Sequence, residues 1–401
     1  MRCLLSVLLL LLGAAATAAR GEESLTEREF LDALGEEHPA VAARMGRVAE
    51  AAAAQRRAEV LTNPTLTFVA EQPQETPRET SWSLAWAPPL DGRRGLSISA
   101  AESGLAAAHS ALASQQWLLR LQMREAFATW ALDQEERDLL ASHADRLEAL
   151  ARRMEHRAEG GEESGLSARR VRLEATEALA SLAKAEAELS RSRAGVSLWS
   201  PRPGLSRPAR PELPTPPADP GVEGRRDLEA LRFELQQSRF EQTLSRRFLR
   251  FPQLLVGWKT VEDAGVELTG PVFGFAWSVP LSDRQQAERL RATRKHSVAQ
   301  ARLAFAARRA EASLTAAVAA YRQLRTAAFE MAAATQDLAP MVEGAVTAYE
   351  LGESSITDVL DTLRSVVAAE LAELEIFAVA LEAHRDLEAA TGLALLGGTS
   401  P

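Results

Sequence analysis

The feature that most constrains this chain is a stretch that occurs twice. Trp86-Ala-Pro-Pro-Leu-Asp-Gly-Arg93 matches Trp277-Ser-Val-Pro-Leu-Ser-Asp-Arg284, with Trp, Pro, Leu and Arg aligned at an offset of 191. The same offset carries Gly161-Glu162-Glu163-Ser164 onto Gly352-Glu353-Ser354-Ser355. Two distant motifs that share one offset point to tandem duplication of a long unit. Around the second copy, Phe273, Phe275, Trp277 and Val279 alternate with Gly274, Ala276 and Ser278. That is a strand period, with large apolar groups on one face and small or polar groups on the other. A soluble strand alternates in this way, and so does a strand with lipid on one side and water on the other.

The ends bound the compartment. Residues 1–19 carry one basic residue, Arg2, then the apolar run Leu4 to Leu12 and a small-residue cleavage site at Ala16-Thr17-Ala18. This reads as a cleaved secretory signal peptide, too short to span a bilayer as a helix. The single cysteine, Cys3, lies inside it. The exported chain is therefore expected to have no disulfide, no thiolate metal site, no catalytic cysteine and no lipid anchor at the cleavage point. Its net charge is −9, one unit lower once Arg2 is removed. An acidic exported chain is a poor nucleic-acid binder. After the signal no run of 18 apolar residues occurs, so any membrane crossing must be made by strands.

Two units of similar plan follow. Residues 20–199 form the first repeat. Ser24 to Thr62 reads as a helix, stopped by Asn63-Pro64. A β-hairpin spans 65–87, with strands Thr65–Glu71 and Thr80–Ala87 about the polar turn Gln72–Glu79. Gly95 to Glu159 is an unbroken helical pattern that would reach roughly 100 Å. A tip at 160–165 reverses the chain, and a helix from Leu166 to Val196 returns. Residues 200–224 are a Pro-rich linker without regular structure. Residues 225–394 form the second repeat: a helix at Arg225–Leu249, then a hairpin at 252–280. Its strands are Pro252–Val261 and Pro271–Pro280, about a turn at Glu262–Thr269. A long helix, Arg284–Leu351, is broken only by Pro340. A tip at 352–355 and a helix Ile356–Thr391, capped by Gly392, complete the copy. Leu360, Leu363, Val367, Leu374, Phe377 and Leu381 set a coiled-coil seam along that last helix. Residues 395–401 are a C-terminal tail.

This organisation resembles the TolC-like outer-membrane efflux channels, including the outer-membrane members of metal and drug export systems. The resemblance is carried by Asn63-Pro64, by the two strand–turn–strand units ending in Pro-Leu, and by Tyr349-Glu-Leu-Gly352-Glu-Ser-Ser-Ile-Thr-Asp358-Val-Leu-Asp361. The ending Leu387-Glu388-Ala-Ala-Thr391-Gly392 also matches. Where the family often has a basic residue two positions after the tip glycine, this chain has Ser354. The resemblance implies a mainly α tandem-duplicated fold with membrane β-strands. Long helical hairpins would form a periplasmic α-barrel, and four strands per chain would build a twelve-stranded β-barrel in a homotrimer. It further implies a passive exit duct in a Gram-negative outer membrane, served by a periplasmic adaptor and an inner-membrane pump. Trp82, Trp86, Trp258, Phe273, Phe275 and Trp277 would then contact lipid or its interface. A periplasmic coiled-coil adaptor or structural spacer is the alternative, and it would be expected to carry a small β-rich domain between its helical arms.

No catalytic constellation stands out, so no enzyme activity and no cofactor are expected. The six histidines lack ligand spacing and read as helix-surface residues, and the glycines form no phosphate loop. Glu135-Glu136 reads as a solvated helix face. The candidate site is the pair of tips: Gly161 and Glu162 in the first, Tyr349, Gly352, Asp358 and Asp361 in the second. Asp358 and Asp361 are three apart and share a helix face below the reversal. In a trimer they would ring the pore with carboxylates and act as a gate. Without the family pattern, as first-turn acids, they would read as a helix cap.

Overall fold

The computed structural model describes residues 24–32, 39–72, 78–199, 206–247, 249–263, 265–279 and 282–395. The leader at 1–19, His38 and most of the tail at 395–401 lie outside the described residues. The described residues are mainly helical, with four strands, in the order α1(Glu27–Leu31), α2(Pro39–Glu59), β1(Thr65–Glu71), β2(Arg78–Trp86), α3(Arg93–Glu159), α4(Gly165–Ser197), α5(Arg226–Arg246), β3(Gln253–Asp263), β4(Val266–Ala276), α6(Gln286–Thr335), α7(Ala339–Glu350) and α8(Ile356–Thr391).

Several boundaries differ from the sequence reading, each for a physical reason. The expected helix over Ser24–Thr62 is two helices. The second begins at Pro39, where a proline lacks the N–H and clashes with a preceding turn. Helix Arg284–Leu351 likewise stops at Thr335 and restarts with Pro340 in the first turn of α7. The second hairpin is tighter than a Glu262–Thr269 turn, because Glu262 pairs with Glu267 and Asp263 with Val266. Its last strand ends at Ala276, so Trp277 lies just beyond the sheet rather than within it. In α8 the buried residue is Val366 and not Val367. Ile356, Val359, Leu360, Leu363 and Val366 make a stripe wider than a single seam, since α8 packs against more than one partner.

The described residues fall into two compact units, and each draws on both halves of the sequence. One contains 39–116 and 225–311. It holds a single antiparallel sheet of order β1-β2-β3-β4, in which β1 and β4 are edge strands. The other contains 1–38, 117–224 and 312–401. Here α3, α4, α7 and α8 bury Leu147, Leu150, Met154, Val171, Leu360 and Leu363 in one core. Phe30, Met123, Phe127, Trp130 and Val196 form a second core, and Leu213, Tyr321, Ala380 and Leu387 a third. Leu213 belongs to the Pro-rich linker, so this segment is a packed strap. Leu25 pairs with Pro208, Arg207 bonds Asp138 at 2.5 Å, and Arg210 stacks on Phe377 at 4.1 Å.

Candidate functional site

The sheet has two unlike faces. Residues paired across antiparallel strands share a face, and alternate residues switch. One face therefore carries three apolar rows. Leu66, Leu84, Val256 and Phe273 line up across all four strands. Phe68, Trp82, Trp258 and Pro271 form the next row, with Phe68 and Trp82 rings 4.4 Å apart. Trp86, Leu254 and Phe275 form the third. The opposite face carries Thr67, Ser83, Gly257 and Val272, then Val69, Ser81, Lys259 and Gly270. The apolar face is uncovered: Phe273 is 77% exposed, Phe275 74%, Trp82 54% and Trp258 52%. A patch of this extent marks contact with another apolar phase.

Trp86 and Trp277 occupy matching places in the two repeats. The Trp86 indole donates to the Thr62 carbonyl at 3.1 Å and the Trp277 indole to the Arg250 carbonyl at 3.0 Å. Each thus ties the end of a hairpin to the segment that enters it. Trp277, although outside the strand, keeps the role that its repeat partner has.

The two tips, both in the helical unit, are the same turn built twice. Glu162 N–H donates to Arg157 O at 2.9 Å and Glu353 N–H to Ala348 O at 2.8 Å. Gly161 N–H donates to Ala158 O at 3.1 Å and Gly352 N–H to Tyr349 O at 3.0 Å. This is the Schellman pattern, and it needs a left-handed residue at the glycine. Gly161 and Gly352 have φ of 75° and 76°. Ser164 and Ser355 then cap the returning helices with their side chains.

The tips are bonded to each other. Tyr349 Oη donates to Glu163 and also lies 3.1 Å from Met154 Sδ. Burial and Glu163 push the tyrosine up to about 12. The Arg157 guanidinium lies 5.6 Å from the centre of the Tyr349 ring and pairs with Glu162 at 3.6 Å and Glu163 at 3.9 Å. Arg153 meets Glu350 at 3.2 Å and Arg170 donates to Thr357 at 3.2 Å. Asp358 forms the capping box with Ser355: its carboxylate accepts from Ser355 N–H at 2.9 Å and Ser355 Oγ at 2.7 Å. Those hydrogen bonds hold its carboxyl below the usual range. Asp361 pairs with Arg364 at 3.2 Å, and Arg364 reaches Glu174 at 3.0 Å. The structure thus gathers Tyr349, Glu162 and their arginine around the tips, while Asp358 turns back onto its own helix.

Sequence reasoning missed a buried polar cluster in the helical unit. Arg124 of α3 bonds both Glu388 of α8 and Glu27 of α1. Leu395 N–H donates to Glu388 at 2.6 Å. Burial works against the Arg124 charge, but Glu388 and Glu27 outweigh it and its pKa ends above the ordinary arginine value. His384, expected on a helix surface, is 2% exposed, and its ring lies tilted against Tyr321 with the centres 5.1 Å apart. Burial, then Arg124, depresses it to about 3. Tyr321 Oη donates to Pro214 O at 2.5 Å, which brings the linker into the cluster. Glu135 is also half-buried, paired with Arg210 at 3.4 Å rather than solvated. The signal for this cluster was a charged residue on an apolar helical stripe, Arg124 between Met123 and Phe127 and Glu388 beside Leu387.

Among the described residues no helix is long and apolar enough to cross a membrane, and no three metal-binding side chains are grouped. No family model matches the chain. The cobalt-zinc-cadmium resistance protein CzcC of Cupriavidus metallidurans is 26% identical over 348 residues, covering 84% of this chain and 82% of the relative. Crystal structures of CusC share the fold at a TM-score of 0.76 and 16% identity, over 91% of this chain and 92% of that one. The Campylobacter jejuni CmeC outer membrane channel gives 0.74 at 13% identity, over 91% and 85%. The Neisseria gonorrhoeae MtrE outer membrane channel gives 0.73 at 17%, over 91% and 88%. With its duplicated hairpins, its twin tips and its four-stranded sheet, the chain has the fold of the TolC-like outer-membrane efflux channels.

Proposed function

We propose that this chain is one protomer of a passive, homotrimeric exit duct in the outer membrane of a Gram-negative bacterium. Three four-stranded sheets would close a twelve-stranded barrel, and the helices would continue the duct into the periplasm. An inner-membrane pump and a periplasmic adaptor would supply energy and cargo, and the chain would perform no covalent chemistry. What carries the reading is the sheet. Two of its apolar rows run unbroken over four strands, and its edges, β1 and β4, leave backbone donors and acceptors that cannot stay unpaired in hydrocarbon. Closure with further copies satisfies both needs. A soluble adaptor or spacer would leave the same aromatic rows in water. The name of the CzcC relative makes cobalt, zinc and cadmium ions the first cargo to test.

The tips are the proposed gate. Tyr349, Gly352, Asp358 and Asp361, with Gly161 and Glu162, would narrow the periplasmic end, and the carboxylates would favour cations. Purified protein in planar bilayers under a salt gradient tests both proposals. Wild type should give discrete, cation-selective conductance steps. Asp358→Asn with Asp361→Asn should shift the reversal potential towards zero. Absence of channels contradicts the duct, and unchanged selectivity in an intact trimer leaves the two aspartates as cap and ion pair alone.

A further inference from the structure

We propose that the helical end of the sheet is a binding collar for the phosphates of anionic phospholipid headgroups. The collar consists of Arg93, Arg94, Arg246, Arg247, Arg250 and Arg284. The inference rests on the reading of the sheet as membrane-embedded, with its helical end in the periplasm. The ten-residue segments adjoining the strands at that end are 55–64, 87–96, 243–252 and 277–286. They hold eight arginines and three acids, Glu59, Asp91 and Asp283, in a chain whose net charge is −9. The other end of the sheet has the reverse balance. Glu71, Glu79, Glu262, Asp263 and Glu267 stand there with Arg78 and Lys259, and Lys259 is already paired with Glu79 at 2.5 Å.

The level of the collar is set by its neighbours. Trp86 and Trp277 lie at the same strand ends, and indoles at the ends of membrane strands sit at the headgroup level. Arg250 offers its backbone carbonyl to Trp277 itself, so this residue joins girdle and collar directly.

Three of the collar's guanidiniums are organised by backbone carbonyls. Arg247 Nη1 donates to Asp91 O at 2.8 Å, Arg93 donates to Arg247 O, and Arg94 Nη2 donates to Glu59 O at 2.6 Å. These partners are backbone carbonyls, which fix a guanidinium in place but carry no counter-charge. The Arg94 Nε is buried and has no hydrogen-bond partner among the described residues. Arg93 approaches Asp91 only to 3.9 Å, and burial and then the charge of Arg250 lower its pKa. Gly92, at φ 70°, gives the turn that places Arg93, and a side chain there would strike the Arg247 guanidinium. Beside Arg93 lies an open groove of about 400 Å³, also bordered by Arg291 and Lys295. Of its acids, Glu241 pairs with Lys295 at 2.5 Å and Glu288 lies 3.9 Å from Arg291. Clustered guanidiniums suit the oxygens of a phosphate monoanion, which they can bind two at a time.

The test uses the full-length protein with vesicles of phosphatidylcholine alone, or of phosphatidylcholine with phosphatidylglycerol. Flotation first reports insertion. Native mass spectrometry in mild detergent then reports retained lipid. Wild type should float with both vesicles and retain phosphatidylglycerol over phosphatidylcholine by about fivefold or more per engaged arginine. Arg93→Gln with Arg250→Gln should lose most of that preference. Arg78→Gln, at the acidic end, should keep it, and excess inorganic phosphate should not displace the lipid. Failure to float with either vesicle overturns the membrane reading. Insertion with equal retention of both lipids overturns the collar alone, and this wild-type comparison needs no variant. Displacement by inorganic phosphate would assign the arginines to a free anion and also overturn the lipid proposal.

Discussion

Arg124 and Glu388 are 264 residues apart in sequence, yet they meet inside the helical unit. A buried pair of this kind is costly to break, because the partner left behind keeps its charge without compensation. Arg124→Met should therefore destabilise the protein by about 3–5 kcal/mol, and Arg124→Met with Glu388→Met should recover much of the loss. Chemical unfolding of the detergent-solubilised protein measures both, and equal losses in single and double variants would show that the pair is not coupled. His384 gives a pH dependence whose sign is fixed. Its pKa is depressed in the folded chain, to about 3. The unfolded chain therefore takes up a proton below about pH 6.5 that the folded chain refuses. The His384 contribution should be full above that pH and be lost on acidification towards 3. His143, also depressed by burial, adds to the same window. His384→Phe should flatten the decline of Tm between about pH 6.5 and 5. An unchanged slope would place the titrating group elsewhere.

At the scale of elements, the alternation of the strands carried most of what the sequence could tell. Leu84, Trp86, Val256 and Trp258 fall on one face by simple period two, and the register joins them into rows. The register also moves Phe275 to the row of Trp86, near the girdle, and sets Phe273 in a row that spans all four strands. Phe273→Arg should accordingly cost roughly 2–4 kcal/mol of membrane insertion, whereas Ser83→Arg on the opposite face should be much milder. Comparing the two by refolding into vesicles checks the faces, and equal losses would mean that they are assigned wrongly. The twin tips were legible because a Schellman turn demands glycine, and the glycines recur at the repeat offset. The strap was not legible. Eight prolines in Ser200–Pro220 say that the backbone is irregular, but not that Leu213 and Pro214 dock on Tyr321. Nor does a list of first-turn acids tell whether Asp358 faces a pore or its own Ser355, because that depends on a single side-chain rotation.

At the scale of the whole molecule, the duplication is what makes the architecture economical. Each repeat supplies one hairpin, and the sheet of one chain joins them through β2 and β3. The compact units do not follow the repeats, because each unit takes segments from both. Order along the sequence therefore does not translate into order in space, and the Arg124–Glu388 pair is the plainest case. The central claim is that one chain carries only part of a closed barrel. Mass determination of the protein extracted in mild detergent from a purified outer-membrane fraction tests it most directly. The account predicts a particle containing three copies of the chain, stable while the detergent is mild and absent from the soluble periplasmic fraction. Recovery of a monomer from that soluble fraction would contradict it.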